Sequence, residues 1–207
     1  MTWKPAALLS LLALLCACAE GGTRGSGIST FVLGNVVSSP VATGLEPDDL
    51  GGIRVVVEGT GVAVRTAADG SFSLTGPFDG LETLRFEPSG GGTAQLDINV
   101  PAAGMLTLNN VHLDVDQGTA YAETQDVAFD GVVVSTDCSG GTMVMNSATQ
   151  VPGDVDNYLV DLVTSMLEDP DGNEVPCAAV RSGQNASLSG HVYPNGTFGH
   201  CLIVLMP

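Results

Sequence analysis

Hydrophobic and polar positions alternate with a period of two through residues 51–80, and turn residues punctuate the pattern at short intervals. Ile53, Val55 and Val57 mark one face of a strand over 53–58, and Phe72 and Leu74 mark one over 71–75, with a third at 62–66 between them. A half-buried strand requires this alternation, because successive side chains leave opposite faces of the pleat. Gly59-Thr60-Gly61 and Asp69-Gly70 fit the reversals, since tight hairpins demand residues tolerant of positive φ. The same reading predicts strands over 28–37, 83–87 and 95–100, and a last one beginning at Leu106. In that last strand the apolar parity slips from Leu106 and Leu108 to Val111, Leu113 and Val115, which predicts a β-bulge at Asn109-Asn110. About seven short strands with regular turns predict a β-sandwich over 28–116.

Beyond it, 117–207 reads as a second domain. Strands are predicted over 127–136, 142–147 and 148–151, with Met143 and Met145 on one face of the second. Tyr158, Leu159, Leu162, Val163, Met166 and Leu167 recur at helical spacing, so one short helix is expected over 154–169, capped by Asp154 or Asp156 and ended by Pro170. Val160 breaks that pattern, and a strand is the alternative. A hairpin over 186–192 and 198–205 follows, turning at 193–197. Three strands, a helix and two strands is the order of an OB-type barrel.

Two ordered sets of motifs carry resemblances. Gly34-Asn35-Val36-Val37, the run 52–57, the run 66–72 and the run 80–86 resemble the carboxypeptidase regulatory-like domain family. That resemblance implies a transthyretin-like, prealbumin-type sandwich without catalytic residues of its own, serving as a structural or interaction module. Ser189-Gly190-His191-Val192 followed by Asn195-Gly196-Thr197-Phe198 is similar to small OB-like bacterial extracytoplasmic domains. The expected fold class is therefore all-β: a transthyretin-like β-sandwich, then a small OB-like β-barrel with one short helix.

Charge narrows the partners. Lys+Arg number 6 against 23 Asp+Glu, a net charge of −17. Such a surface repels phosphate backbones, so nucleic acid is not an expected partner. With aromatic residues at only 5% of the chain, the barrel also lacks the stacking platform single strands need.

The N-terminus sets the compartment. Lys4 precedes an apolar run over 6–15, shorter than the ~20 residues of a membrane span. Leu15-Cys16-Ala17-Cys18 resembles the bacterial lipobox, with Cys18 the lipid-modified residue and 1–18 the signal peptide. Ala19 after the cysteine resembles lipoproteins sorted to the outer membrane, and 19–27 is a Gly/Ser-type tether. The expectation is a lipid-anchored protein of the bacterial cell envelope; the alternative is an ordinary cleaved signal and a secreted protein.

Cys138, Cys177 and Cys201 lie beyond the signal, and an oxidising compartment favours one bridge. Cys138 in a turn and Cys177 in a loop are the favoured pair, with Cys138–Cys201 the rival. Cys201 is expected to pack as a small hydrophobe. Its neighbour His200 points to the other face of the strand and does not serve it as a base. Asp169, Asp171 and Asn173 place oxygens at alternate positions as a calcium loop does, but the glycine and glutamate of the EF-hand pattern are missing, and a Pro-Asp-Gly turn explains them more simply. Ca²⁺ is the one cofactor candidate. His112, His191 and His200 show no zinc spacing along the chain. No G-x-S-x-G elbow, P-loop or strand-borne G-x-G-x-x-G occurs. The sequence therefore reads as a non-enzymatic anchored protein with a structural, adhesive or protein-interaction role, its partners surface proteins or glycans. The alternative is a binding module for a small ligand, glycan or calcium.

Overall fold

The protein is all-β. The computed structural model describes residues 29–38, 50–147, 157–193 and 195–207. The expected signal peptide, Cys18, the tether and the strand at 148–151 lie outside them.

Seven strands build the first half: β1 (Thr30–Val36), β2 (Arg54–Val57), β3 (Ala63–Arg65), β4 (Ser71–Gly76), β5 (Gly80–Glu87), β6 (Ala94–Val100) and β7 (Met105–Asp114). An eighth, β8 (Thr119–Asp137), follows β7 through a turn and pairs with it antiparallel from Met105–Ala128 to Asp114–Thr119. Pairing gives two layers, β4-β1-β7-β8 and β3-β2-β5-β6, bridged where Gln95 meets Thr119. Their facing sides supply one core, in which Val32, Leu74, Leu106 and Val111 meet Val55, Leu84, Phe86 and Ile98. Each is the apolar half of an alternating strand, so burial of the period-two pattern accounts for the layers.

Local chemistry fixes the turns. At Asp69-Gly70 the Asp69 Oδ1 accepts the Ser71 amide at 3.0 Å and its hydroxyl at 2.7 Å. Gly70 has φ +83°, and a Cβ there would lie 2.1 Å from the Val36 carbonyl oxygen, so only glycine fits. The predicted bulge is present: β1 pairs Gly34 with Leu108 but Val36 with Val111, and Asn110 takes φ 53°. The extra residue resets the parity, so Leu106, Leu108, Val111 and Leu113 all face the core.

The second half comprises β9 (Thr142–Ser147), β10 (Asn157–Asp161), β11 (Met166–Glu168), β12 (Asn185–Val192) and β13 (Phe198–Leu205). Strands β8, β9, β10, β13 and β12 pair in that order, and β12 returns to β8, closing a ring. The β10–β13 pairing is parallel and the other four antiparallel. Inside it Tyr158 stacks on Phe198 at 5.3 Å, and Phe129 lies 5.1 Å from Tyr158. Met143, Met145, Val160, Leu188 and Ile203 complete this second core. Residues 116 and 117, the expected boundary, fall in the turn between β7 and β8, and β8 itself runs from the first core to the second.

The helix expected over 154–169 does not form: within its described part the chain makes β10, a turn and β11, and the only helical turn among the described residues is a 3₁₀ turn at Cys177–Ala179. Tyr158 and Val160 are buried while Asn157 and Leu159 are exposed, a period of two that pairs β10 with β9 from Asn157–Asn146 to Asp161–Thr142. Asp161 then ends the strand. Its carboxylate accepts the Val163 amide at 2.9 Å and the Thr164 hydroxyl at 3.1 Å, an Asx turn that competes with helix. Val163 and Leu159, counted in the helical face, are solvent-facing.

Candidate functional site

Strands from both halves merge into one continuous sheet, β4-β1-β7-β8-β12-β13-β11. A single transverse row of direct partners crosses it: Phe31–Met105–Ala128–Ser189–Leu202–Met166. Because side chains alternate, every member of this row points away from the two cores. Phe31, Met105, Leu202 and Met166 remain 45%, 40%, 39% and 58% exposed, so the apolar members of the row are open to solvent. Phe31, Met105 and Leu202 border a cleft of ≈ 390 Å³ whose walls also include Asp130, Ser187 and Val204. Gly104 keeps its floor low: a Cβ there would meet the Ala128 carbonyl oxygen and Phe129 Cβ at 3.0 Å, while its own carbonyl accepts the Phe31 amide at 3.0 Å.

Acidic and polar groups flank the row. On one side Ser187 donates a hydrogen bond to Asp130. On the other, Asp126 holds His191 through Nδ1 and accepts Asn109 Nδ2 at 2.8 Å on its second oxygen. The described arginines lie elsewhere. Arg54 and Arg85 sit on the other layer, paired with Glu87 at 2.8 and 2.9 Å. The open face is thus apolar along its centre and acidic at its rim.

The cysteines follow the favoured pairing: Cys138 and Cys177 form a disulfide with Cα atoms 5.8 Å apart, and Cys201 is free and buried. Burial pushes the Cys201 thiol up to about 11, outweighing the Ser165 hydrogen bond. It stays protonated at neutral pH and is a poor nucleophile.

Asp169 and Asn173 meet, but as a self-closed turn. Asp169 Oδ1 accepts the amides of Asp171 at 3.0 Å and Asn173 at 2.9 Å, and the Asn173 side-chain amide donates to the same carboxylate. Those bonds, led by the Asn173 side chain, hold the Asp169 carboxyl below its usual range. Asp171 enters this turn through its backbone amide. Among the described residues no group of three or more His, Cys, Asp or Glu side chains converges as a metal site.

Two of the three histidines meet in the fold. His112 is engaged elsewhere, its Nε2 3.0 Å from Glu123 and its ring stacked on Tyr121. His191 and His200, nine positions apart in sequence, come together across the β12–β13 hairpin with ring centroids 6.0 Å apart. The signal was the hairpin itself, since strands folding over 193–197 must bring their near ends side by side.

No protein-family model matches the chain, and no curated protein does. Among solved structures, the chain is similar to a DUF3823 family protein from Parabacteroides merdae at 15% identity, over 87% of this chain and 99% of that chain, with a TM-score of 0.27.

Proposed function

We propose that this chain is a lipid-anchored extracytoplasmic protein of the bacterial envelope, held at the outer membrane through Cys18, with a non-enzymatic, protein-interaction role. Seven strands, β1 to β7, packed in two layers around one core with β8 added at the edge, support reading 28–116 as a carboxypeptidase regulatory-like, transthyretin-like sandwich. The ring β8-β9-β10-β13-β12, with its one parallel pairing, supports reading the second half as an OB-like barrel. The observation that carries the function is the solvent-open row Phe31–Met105–Leu202–Met166 spanning both halves. Exposed apolar surface rimmed by polar groups marks interaction sites. The acidic rim selects a protein partner with an apolar centre and surrounding Lys and Arg side chains. A small ligand or glycan in the cleft is the second reading, favoured by the Phe31 ring facing the same space as Ser187 and Asp130.

The anchor is tested by intact mass and membrane partitioning beside Cys18→Ala. Acyl mass and sedimentation lost in the variant support it; soluble, unmodified wild type overturns it. The face is tested by a photo-crosslinking residue at Leu202 in living cells, with Leu81, 83% exposed on β5, as control. A discrete protein adduct at 202 and not 81, re-formed with the purified partner, is expected. Equal or absent adducts overturn the protein-interaction reading.

A further inference from the structure

His191 and His200 share the outer face beside the apolar row, and three features prepare them for a common ligand. First, Asp126 engages His191 Nδ1, an acceptor that favours the Nδ1–H tautomer and so leaves Nε2 with the lone pair. Asn109 in turn orients Asp126 through its other oxygen at 2.8 Å. This carboxylate–histidine arrangement is the outer-shell support that metal-ligating imidazoles use. Second, His200 occupies the left-handed region at φ 50°, where β13 bulges opposite β12 between the Ser189–Leu202 and His191–Gly199 pairs. Bulges re-aim side chains, and a non-glycine residue held there is paid for by its surroundings. Here the turn after β10 supplies the restraint: Thr164 Oγ1 accepts the His200 amide at 3.1 Å and Ser165 Oγ the Cys201 amide at 3.0 Å. Third, the ring centroids lie 6.0 Å apart with planes at 72°. A metal at about 2.0–2.1 Å from an imidazole nitrogen sits roughly 3.2 Å from the ring centroid, so two rings sharing one ion have centroids about 5.2 Å apart at a tetrahedral angle and at most about 6.4 Å apart. The observed separation falls inside the upper bound, and rotation of the exposed His200 ring supplies the rest.

We propose that His191 and His200 bind one borderline transition-metal ion, Zn²⁺ or Ni²⁺, with Asp126 as the positioning residue for His191. Imidazole ligands suit these ions and not Ca²⁺ or Mg²⁺, which take oxygen. The remaining coordination positions are open to water or to a partner's side chain. The proposal stands apart from the self-closed turn at Asp169 and does not depend on the proposed lipid anchor.

The test is titration of the full chain, without an added histidine tag, with Zn²⁺ and Ni²⁺ by calorimetry under a large excess of Mg²⁺. The excess occupies non-specific carboxylate sites on this acidic chain. One ion per chain is expected, lost in His191→Ala and in His200→Ala, and retained in His112→Gln. Asp126→Asn is expected to weaken binding about ten- to hundred-fold. Circular dichroism and thermal midpoints of the two alanine variants, both at exposed positions, establish that they fold. Absence of binding to the wild type overturns the proposal. So does binding that survives either histidine substitution.

Discussion

Asn35 and Asn110 hold each other reciprocally across β1 and β7: Asn35 Nδ2 donates to Asn110 Oδ1 at 3.2 Å, and Asn35 Oδ1 accepts the Asn110 backbone amide at 3.2 Å. The pair pins the bulge at its unpaired residue, where Asn110 takes φ 53°. Asn110 Nδ2 also donates to Glu123 at 2.7 Å, tying the bulge to β8. Replacing Asn110 with alanine removes the two bonds its side chain makes, keeps the one its backbone amide donates, and leaves a Cβ residue in the left-handed region without local compensation, at a cost of about 2 kcal/mol. Asn110→Gly loses the same bonds but not the conformational preference, so its loss is smaller. Urea unfolding midpoints of the two variants separate the effects. Equal losses would show that the backbone conformation contributes nothing.

Acid stability follows from five carboxyls held below their ordinary values of 3.8 for Asp and 4.5 for Glu: Asp69 by Ser71, Glu87 by Arg54, Glu123 by Asn110, Asp137 by Ser139 and Asp169 by Asn173. A carboxyl whose folded-state pKa is depressed stabilises the fold fully above its ordinary value, and that contribution is lost as pH falls through the depressed one. Self-repulsion at a net charge of −17 acts the other way, since protonation relieves it. Stability is therefore expected to hold or rise on mild acidification and to fall once pH drops below about 4. Thermal midpoints across this range in low salt give the answer. A midpoint that keeps climbing through the whole carboxylate range would mean that repulsion outweighs these hydrogen bonds.

The open row makes a prediction that separates surface from core. Leu202→Glu and Met105→Glu replace side chains that touch solvent, so each is expected to change stability by no more than ~0.5 kcal/mol, and Met105→Glu is expected to abolish the crosslink from position 202. Phe198→Ala, on the same strand as Leu202 but inside the ring, is expected to cost about 3–5 kcal/mol. Chemical denaturation of the three variants tests the assignment. A large loss for Leu202→Glu would place that side chain in the fold's own packing.

The first half was the more legible part because its signals are local. Asp69-Gly70 marks a turn by chemistry alone, and the slip from Leu108 to Val111 marks the bulge by parity. The segment around Tyr158 failed for an opposite reason. Only Tyr158 and Val160 in β10 are buried, and exposed Leu159 and Val163, the latter 81% exposed, added apolar letters that imitated a helical face. The start of β8 was missed because Thr119, Tyr121 and Glu123 keep it polar on one side and Ala120 and Ala122 bury little on the other. The His191–His200 pair depends on a hairpin and a bulge together, so no spacing rule along the chain reveals it. The outer row is harder still: its members come from six strands and share only a register.

The disulfide should act as a long-range staple on the second half. Cys138 closes the turn after β8 and Cys177 opens the 3₁₀ turn after β11, 39 residues later. Between them lie β9, β10 and β11, so the bridge restrains three strands of the unfolded chain at once. Closing a loop of that length lowers denatured-state entropy by an amount worth about 3–4 kcal/mol. Replacing both cysteines with serine, which leaves no unpaired thiol at either end, is expected to lower the unfolding free energy by that amount. Reductant should lower the wild-type midpoint similarly and leave the variant unchanged. The loss should appear in the second core, so amide exchange at Val160 and Ile203 should accelerate more than at Leu84 and Ile98. Uniform acceleration across both cores would instead mean that the two halves unfold as one unit through β8, the strand they share.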